Sequence, residues 1–316
     1  MKKEPLFLEP VFQERIWGGT ALAEQFNYDI PSNKTGECWA ISGHPNGTTK
    51  IKNGTFQGTS LDDIWRNNKD LFGNYPGEKF PLLTKILDAN TDLSVQVHPN
   101  DEYGMKFENG ELGKTECWYI IDCKEGAEMI FGHNASSKEE LRTMIDNGQW
   151  DKLLRRVAVK PGDFFFVPSG TIHALCEGTL VLETQQSSDT TYRVYDYDRT
   201  DNEGNKRELH LEKAIDVTTV PHQEQKQNYQ TETKAGTVIT TFVQSEYFTV
   251  QKWNVQDNTE FTQTEAFSLF SVLDGEGTID VQGSSYKVKK GDHFILPHDF
   301  GAFELNGKLE LIVSHP

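Results

Sequence analysis

Most of this chain is patterned as short apolar runs broken by turn residues. Glu37-Cys38-Trp39-Ala40-Ile41-Ser42, Leu93-Ser94-Val95-Gln96-Val97, Cys117-Trp118-Tyr119-Ile120-Ile121 and Leu180-Val181-Leu182-Glu183-Thr184 are rich in residues that favour a pleated backbone. Turn signals such as Asn53-Gly54, Asn109-Gly110 and Asp274-Gly275 separate such runs. Many short strands at this spacing predict a sandwich or barrel. Helix is confined to patches that decorate the strands. Ser60-Leu61-Asp62-Asp63-Ile64-Trp65 opens with a capping residue and an acidic first turn, and marks an insertion near 60–73. Ser137-Lys138-Glu139-Glu140 is a capping-box pattern, followed by Leu141, Met144 and Ile145 at helical spacing. A second short helix is expected from Trp150 to Arg156, so this insertion spans 137–156.

The strongest organisational signal is a repeat. Val159-Lys160-Pro161-Gly162-Asp163-Phe164-Phe165-Phe166-Val167-Pro168 recurs 129 residues later as Val288-Lys289-Lys290-Gly291-Asp292-His293-Phe294-Ile295-Leu296-Pro297. Each copy reads as a Gly-Asp turn, a strand of large apolar residues and a proline that ends pairing. Two successive β-domains of one architecture explain this better than a common turn occurring twice. The polar stretch from Gln223 to Lys234 is the natural linker, which divides the chain into residues 1–225 and 226–316. The copies differ in one respect. His173 follows the first, and the equivalent position after the second is Ala302. The site is therefore expected in the first domain, with the second as scaffold.

Composition narrows the chemistry. The 316 residues carry 31 Lys and Arg against 48 Asp and Glu, a formal net charge of −17. That balance disfavours nucleic acid and anionic membranes, which are bound by neutralising phosphates with basic side chains. The aromatic run Phe164-Phe165-Phe166-Val167 is far shorter than the ~18 residues of a transmembrane helix. No apolar leader segment follows Met1-Lys2-Lys3-Glu4-Pro5. The four cysteines have no CxxC spacing and are expected as reduced thiols, so a cytoplasmic location is expected.

His173 needs partners if it binds a metal. Gln96 and His98 point the same way on a strand, and Glu116 opens the next strand candidate. Two imidazoles, a carboxylate and an amide oxygen suit Zn²⁺ or another first-row divalent ion, with room for water or substrate.

Gly162-x5-Pro168-x-Gly170-x2-His173 resembles the second motif of the cupin jelly-roll superfamily, a fold that hosts many functions. More closely, the chain resembles the type I mannose-6-phosphate isomerases in their short bacterial form. The residues that carry the resemblance are Trp17-Gly18-Gly19, Gly36 to Ser42, Leu93-Ser94-Val95-Gln96-Val97-His98-Pro99-Asn100-Asp101, Gly113 to Trp118 and Pro168 to Ala174. They lie between residues 15 and 195, and the C-terminal third reads only as a degenerate cupin copy. The resemblance implies two cupin-like jelly-roll domains, mainly β, with small helical insertions. It implies zinc ligands at Gln96, His98, Glu116 and His173, a catalytic arginine at Arg193, a lysine near the metal at Lys114, and active-site acids at Glu183 and Asp189. Phosphate contacts are nominated at Ser94 and Lys85, which lead toward the Gln96 strand. One segment departs from the family pattern. Val194-Tyr195-Asp196-Tyr197 follows Arg193, where longer members have Ala or Gly.

The expected reaction moves a proton between C2 and C1 of open-chain mannose 6-phosphate and fructose 6-phosphate through a cis-enediol. The partner is a small sugar phosphate, and the chain is expected to be a monomer or a dimer. Two alternatives stand beside this reading: a non-catalytic sugar-binding cupin, and a cupin oxygenase using Fe²⁺, for which Gln96 is a poor first ligand.

Overall fold

Three antiparallel sheets account for the β-rich pattern in the computed structural model, which describes residues 4–200, 203–226 and 228–316. A six-stranded sheet runs in the order Phe164–Val167, Glu116–Cys123, Thr179–Gln186, Leu82–Ala89, Thr35–Ser42 and Val11–Gly19. A five-stranded sheet runs Tyr192–Tyr195, Val95–Val97, His173–Leu175, Glu128–His133 and Leu154–Ala158. These two face each other, with Trp118, Ile120 and Val181 of the first packed with Met129, Phe131 and Leu175 of the second. The third sheet has ten strands and contains the second repeat copy. The architecture is the mainly β, cupin-type sandwich expected from the sequence.

The six-stranded sheet is the middle layer. Every residue of Thr35–Ser42, Leu82–Ala89 and Thr179–Gln186 is buried. Side chains alternate across a strand, so each strand has two buried faces. One face, with Cys38, Ile86, Cys117, Leu180 and Leu182, packs on Phe248, Val250, Leu269 and Ile312 of the C-terminal sheet. The opposite face carries Glu37, Lys85, Glu116 and Glu183 toward the five-stranded sheet. An alternation that elsewhere marks a solvated surface marks an interior polar seam here.

The repeat is reproduced in three dimensions. Gly162 has φ +91° and Gly291 +88°, a region glycine occupies without steric cost. Asp163 accepts from the Lys160 amide at 3.0 Å, and Asp292 from the Lys289 amide at 2.9 Å. Phe164–Val167 pairs with the Glu116 strand, and His293–Leu296 pairs with Ser268–Val281. The chain crosses the expected division at residues 225 and 226. Leu6–Glu9 adds to the C-terminal sheet, with Leu6 opposite Ile295.

Both helical insertions form, with differences in detail. Ser60 caps Leu61–Asn67 through the Asp63 amide, and Leu61, Ile64 and Trp65 are buried. Burying each such side chain contributes about 1.5–3 kcal/mol. A 3₁₀ turn, Lys69–Phe72, completes that insertion. Ser137 caps Lys138–Asp146 through the Glu140 amide. The next helix is shorter than expected and covers only Trp150–Leu153. From Leu154 the backbone extends and pairs with Glu128–His133, because the sheet edge offers partners that a further helical turn lacks. The end of the polar linker is likewise a strand, Gln230–Lys234, all five residues exposed at an edge. Three short helices have no counterpart in the sequence reading: Ala21–Phe26, Asp101–Phe107 and Leu211–Val217.

The two turn glycines give a stability prediction. A methyl group at Gly162 meets open space, so Gly162→Ala costs only backbone strain, about 1–3 kcal/mol. At Gly291 the added Cβ comes within 3.1 Å of Tyr28, so Gly291→Ala costs more. Denaturant midpoints of the two variants measure this order.

Candidate active site

The Leu93–Asp101 segment organises the seam between the two sheets. Ser94, Gln96 and His98 share one strand face, each about 6.7 Å from the next. Gln96 lies directly opposite His173 on one side and Arg193 on the other. Past the strand, Asn100 caps the helix Asp101–Phe107 through the Tyr103 amide. Asp101 accepts from the Gly113 amide at 2.7 Å and from Gln186 Nε2 at 2.9 Å. Gly113 has no room for a side chain, since a Cβ there would sit 2.5 Å from the Asp101 nitrogen. This close contact delivers Lys114 and Glu116 to the site. Gly170, at φ +84°, donates its amide to the His98 carbonyl at 2.9 Å and turns the chain toward His173.

His98, Glu116 and His173 converge in full burial. His98 Nδ1 donates to the Thr190 carbonyl at 2.9 Å, and His173 Nδ1 to the Thr171 carbonyl at 2.8 Å. In the neutral tautomer each ring then presents the Nε2 lone pair to the centre, the arrangement that carbonyl partners impose on metal-binding histidines. His173 Nε2 lies 3.2 Å from Glu116 Oε1, and neither atom has a hydrogen-bond partner among the described residues. Two buried acceptors facing each other need a cation or proton between them. Lys114 supplies part of the charge: its ammonium lies 3.1 Å from His98 Nε2 and 2.9 Å from Glu116 Oε2.

Electrostatics sort these groups. Burial, then Lys114, pushes His98 well below the ordinary histidine range, so it is neutral. Burial alone would raise Glu116, but Lys114 and both histidines outweigh it and hold the carboxylate ionised well below its usual value. Burial opposes the charge on Lys114, yet Glu116 and then Glu183 raise it above the normal lysine value. The donor set of two imidazoles, one carboxylate and the neighbouring Gln96 amide fits a divalent ion.

Beside this cluster a cavity of about 340 Å³ opens between the sheets. Its walls include Ser94, Gln96, Lys114, Lys85, Glu183, Asp189 and Arg193, seven residues singled out from the sequence. Glu183 faces inward and is buried, accepting from Trp118 Nε1 at 2.9 Å. Burial, then the charge of Glu116, raises its pKa against the pull of Lys114, Lys85 and Trp118. Lys85 lies between two carboxylates, 3.9 Å from Glu37 and 3.9 Å from Glu183. Asp189 is exposed at the mouth and accepts from Asn46 Nδ2 at 3.0 Å. Arg193 donates to Ser94 Oγ at 3.3 Å and to the Glu208 carbonyl at 2.7 Å.

Four polar wall residues had no assigned role in the sequence reading: Arg15, Glu37, Thr191 and Arg207. Arg15 grips Glu37 through Nε at 2.8 Å and Nη2 at 3.2 Å. Glu37 lies inside the quoted Gly36–Ser42 motif, so a signal for it existed. Arg207 has none, because it reaches the cavity from a polar loop. The walls hold five cationic residues (Arg15, Lys85, Lys114, Arg193, Arg207) and three acidic ones (Glu37, Glu183, Asp189). Cations thus outnumber carboxylates on the walls of a cavity in a chain whose net charge is −17.

Known proteins resemble this chain along its whole length. The family model described as phosphomannose isomerase type I, catalytic domain, matches residues 6–131. The model described as mannose-6-phosphate isomerase, cupin domain, matches residues 238–316, which extends the family signal beyond the segment that carried it in the sequence. The mannose-6-phosphate isomerase ManA of Bacillus subtilis is 57% identical over 315 residues, all of both chains. The mannose-6-phosphate isomerase of Streptococcus mutans is 53% identical over 99% of this chain and 98% of its own. A crystal structure of a Bacillus subtilis mannose 6-phosphate isomerase matches with a TM-score of 0.98 at 55% identity over both full chains. A mannose 6-phosphate isomerase solved with zinc bound shares the fold, with a TM-score of 0.82 at 17% identity over 98% of this chain and 99% of that one.

The donor set makes a direct prediction. The purified protein takes up one Zn²⁺ or Co²⁺ per chain, and His173→Ala loses that stoichiometry while its far-UV circular dichroism is kept. Metal analysis on both proteins checks it.

Proposed function

Because this chain belongs to the type I mannose-6-phosphate isomerase family, we propose that the cavity between its sheets interconverts mannose 6-phosphate and fructose 6-phosphate through a cis-enediol. The family makes the chain an aldose–ketose isomerase, and the sugar-binding and oxygenase alternatives fall with it. The observation that carries the mechanistic reading is the pair of facing acceptors, Glu116 Oε1 and His173 Nε2, buried without hydrogen-bond partners among the described residues, beside a cavity lined by five cationic and three acidic residues. On this reading Gln96, His98, Glu116 and His173 hold a divalent ion, zinc first. Bound there, the ion supplies Lewis acidity toward a sugar oxygen without redox chemistry.

The protein's own groups do the rest. Glu183 is the carboxylate assigned to proton transfer, and Asp189 stands second for that role. A raised pKa in a buried site brings a carboxylate closer to the basicity that proton abstraction from carbon requires. The C2–H pair moves into the C1–C2 bond and O1 takes up the charge, then a proton. Return of a proton to C1 and loss of the O2 proton complete the ketose. Lys114 and Arg193 donate to the oxygens on which negative charge develops. Ser94 and the cavity cations receive the phosphate.

Residues 1–225 are taken as the catalytic unit and 226–316 as a second cupin without metal. The four cysteines are free thiols, the state of a reducing compartment, and a cytoplasmic location belongs to the proposal. Among the described residues, no helix is long and apolar enough to cross a membrane.

Exhaustive chelation should abolish isomerisation of mannose 6-phosphate in a coupled assay, and Zn²⁺ or Co²⁺ should restore it. Full activity after chelation would remove the ion from the mechanism. Glu183→Gln should lower kcat by about 10²–10⁴-fold with the fold retained. Trp118→Phe removes the donor that lowers the Glu183 pKa, so that pKa rises further. The acid limb of the kcat/KM profile should then move to higher pH; an unmoved limb would take Glu183 out of the base role.

A further inference from the structure

The strand Thr179–Gln186 leaves the six-stranded sheet and continues as Ser187-Ser188-Asp189-Thr190. Connections usually run over the surface, where water satisfies their backbone groups. Here Gln186, Ser187 and Ser188 are buried, so those groups need partners inside the protein. The Ser187 amide donates to the Pro81 carbonyl at 2.9 Å, and the Gln186 amide to the Thr115 carbonyl at 3.0 Å. The Gln186 side chain accepts from the Thr115 amide at 2.9 Å and donates to Asp101 at 2.9 Å. The start of the connection is thereby tied to the segment that delivers Lys114 and Glu116.

Two carbonyls of the connection accept from one side chain. Gln185 is completely enclosed and lies opposite Glu116 in the strand register, on the same inward face as Glu183. Its amide folds back along its own chain. Nε2 donates to the Gln186 carbonyl at 2.8 Å and to the Ser188 carbonyl at 2.6 Å. The amide cannot be turned over, because its oxygen would then face two carbonyl oxygens. As it stands, Oε1 is buried with no hydrogen-bond partner among the described residues, so the donor end alone holds the group. Beyond the clamp, the Thr190 amide donates to Ser188 Oγ at 3.4 Å, and the Thr190 carbonyl accepts from His98 Nδ1 at 2.9 Å. The path from Gln185 to the imidazole is therefore short: amide, Ser188, Thr190 carbonyl, His98.

We propose that Gln185 is a positioning residue for the histidine cluster. By clamping the Gln186 and Ser188 carbonyls it sets the place of the Thr190 carbonyl, and through it the tautomer and aim of His98. The proposal rests on the reading of His98, Glu116 and His173 as ligands of a divalent ion. A partner behind a ligating imidazole is worth about 10–100-fold in metal affinity, and Gln185 holds that partner in place.

The test compares wild type with Gln185→Met, Gln185→Asn and Thr184→Val in two measurements. The first is Zn²⁺ affinity, by competition with a chromophoric chelator. The second is the His98 tautomer in the metal-free protein, from long-range proton–nitrogen NMR spectra of ¹⁵N-histidine-labelled samples, with His98→Gln assigning the signal. Wild type should show a single tautomer protonated at Nδ1. Gln185→Met keeps the size but loses both donors, so Zn²⁺ affinity should fall about 10-fold and the tautomers should mix. Gln185→Asn keeps the amide on a shorter stem and should fall between. Thr184 is buried on the opposite face of the same strand, and Thr184→Val should match wild type in both measurements. If Gln185→Met does not fold, Gln185→Asn carries the comparison. Wild-type affinity and tautomer in a folded Gln185 variant, or equal losses in Thr184→Val, would overturn the inference and leave the ion-site reading intact. A wild-type protein that takes up no Zn²⁺ would instead overturn that reading, while the tautomer comparison still judges the clamp.

Discussion

The polar seam between the six-stranded and five-stranded sheets turns on one buried carboxylate. Glu116 is fully enclosed between two sheets, and an uncompensated charge there would cost several kcal/mol. Lys114, from its own chain segment, supplies compensating charge 2.9 Å away, while His98 and His173 face the carboxylate from the opposing sheet. Each imidazole is fixed by a carbonyl behind it, so the cluster is aimed before any ligand arrives. The Asp101–Gly113 contact explains why the Pro99-Asn100-Asp101 segment belongs with the His98 strand. It is the clasp that sets Lys114 and Glu116 at their depth.

That carboxylate sits in a layer with no solvated face. The six-stranded sheet is covered on one side by the C-terminal sheet and on the other by the polar seam. The second repeat copy keeps the Gly-Asp turn and the apolar strand, and its sheet supplies the backing layer. Ala302 stands where the first copy has His173, and the sole cluster of potential ligands among the described residues is the one around Glu116. A retained turn and strand without the histidine fits a supporting layer, since packing constrains the strand and nothing there constrains the histidine.

The cavity also resolves an apparent conflict over charge. A chain of net charge −17 looks unsuited to an anion. Field strength, however, depends on the nearest charges and on the low polarisability of the walls around them. Arg15 is held by both oxygens of Glu37, and Arg207 by the Asp196 carboxylate, which it shares with Arg199. The acidic excess lies elsewhere, on solvent faces where water screens it.

Much of this was legible in the sequence for definable reasons. The β class followed from run length and turn residues, and the repeat from a turn that only glycine and aspartate build cheaply. The Gln96–His98 pair followed from the two-residue period of a strand. Other features needed the folded chain. The orientation of Glu183 could not be read because an alternating strand does not say which face is covered; here both are. The helix expected through Arg156 stopped at Leu153 because a sheet edge competed for its backbone groups. Arg207 and Asp196 were invisible as a pair, since a polar loop brings them together and loop geometry leaves no periodic mark. Periodic backbone hydrogen bonding writes itself into sequence; the meeting of side chains from separate loops and sheets is settled only by tertiary packing.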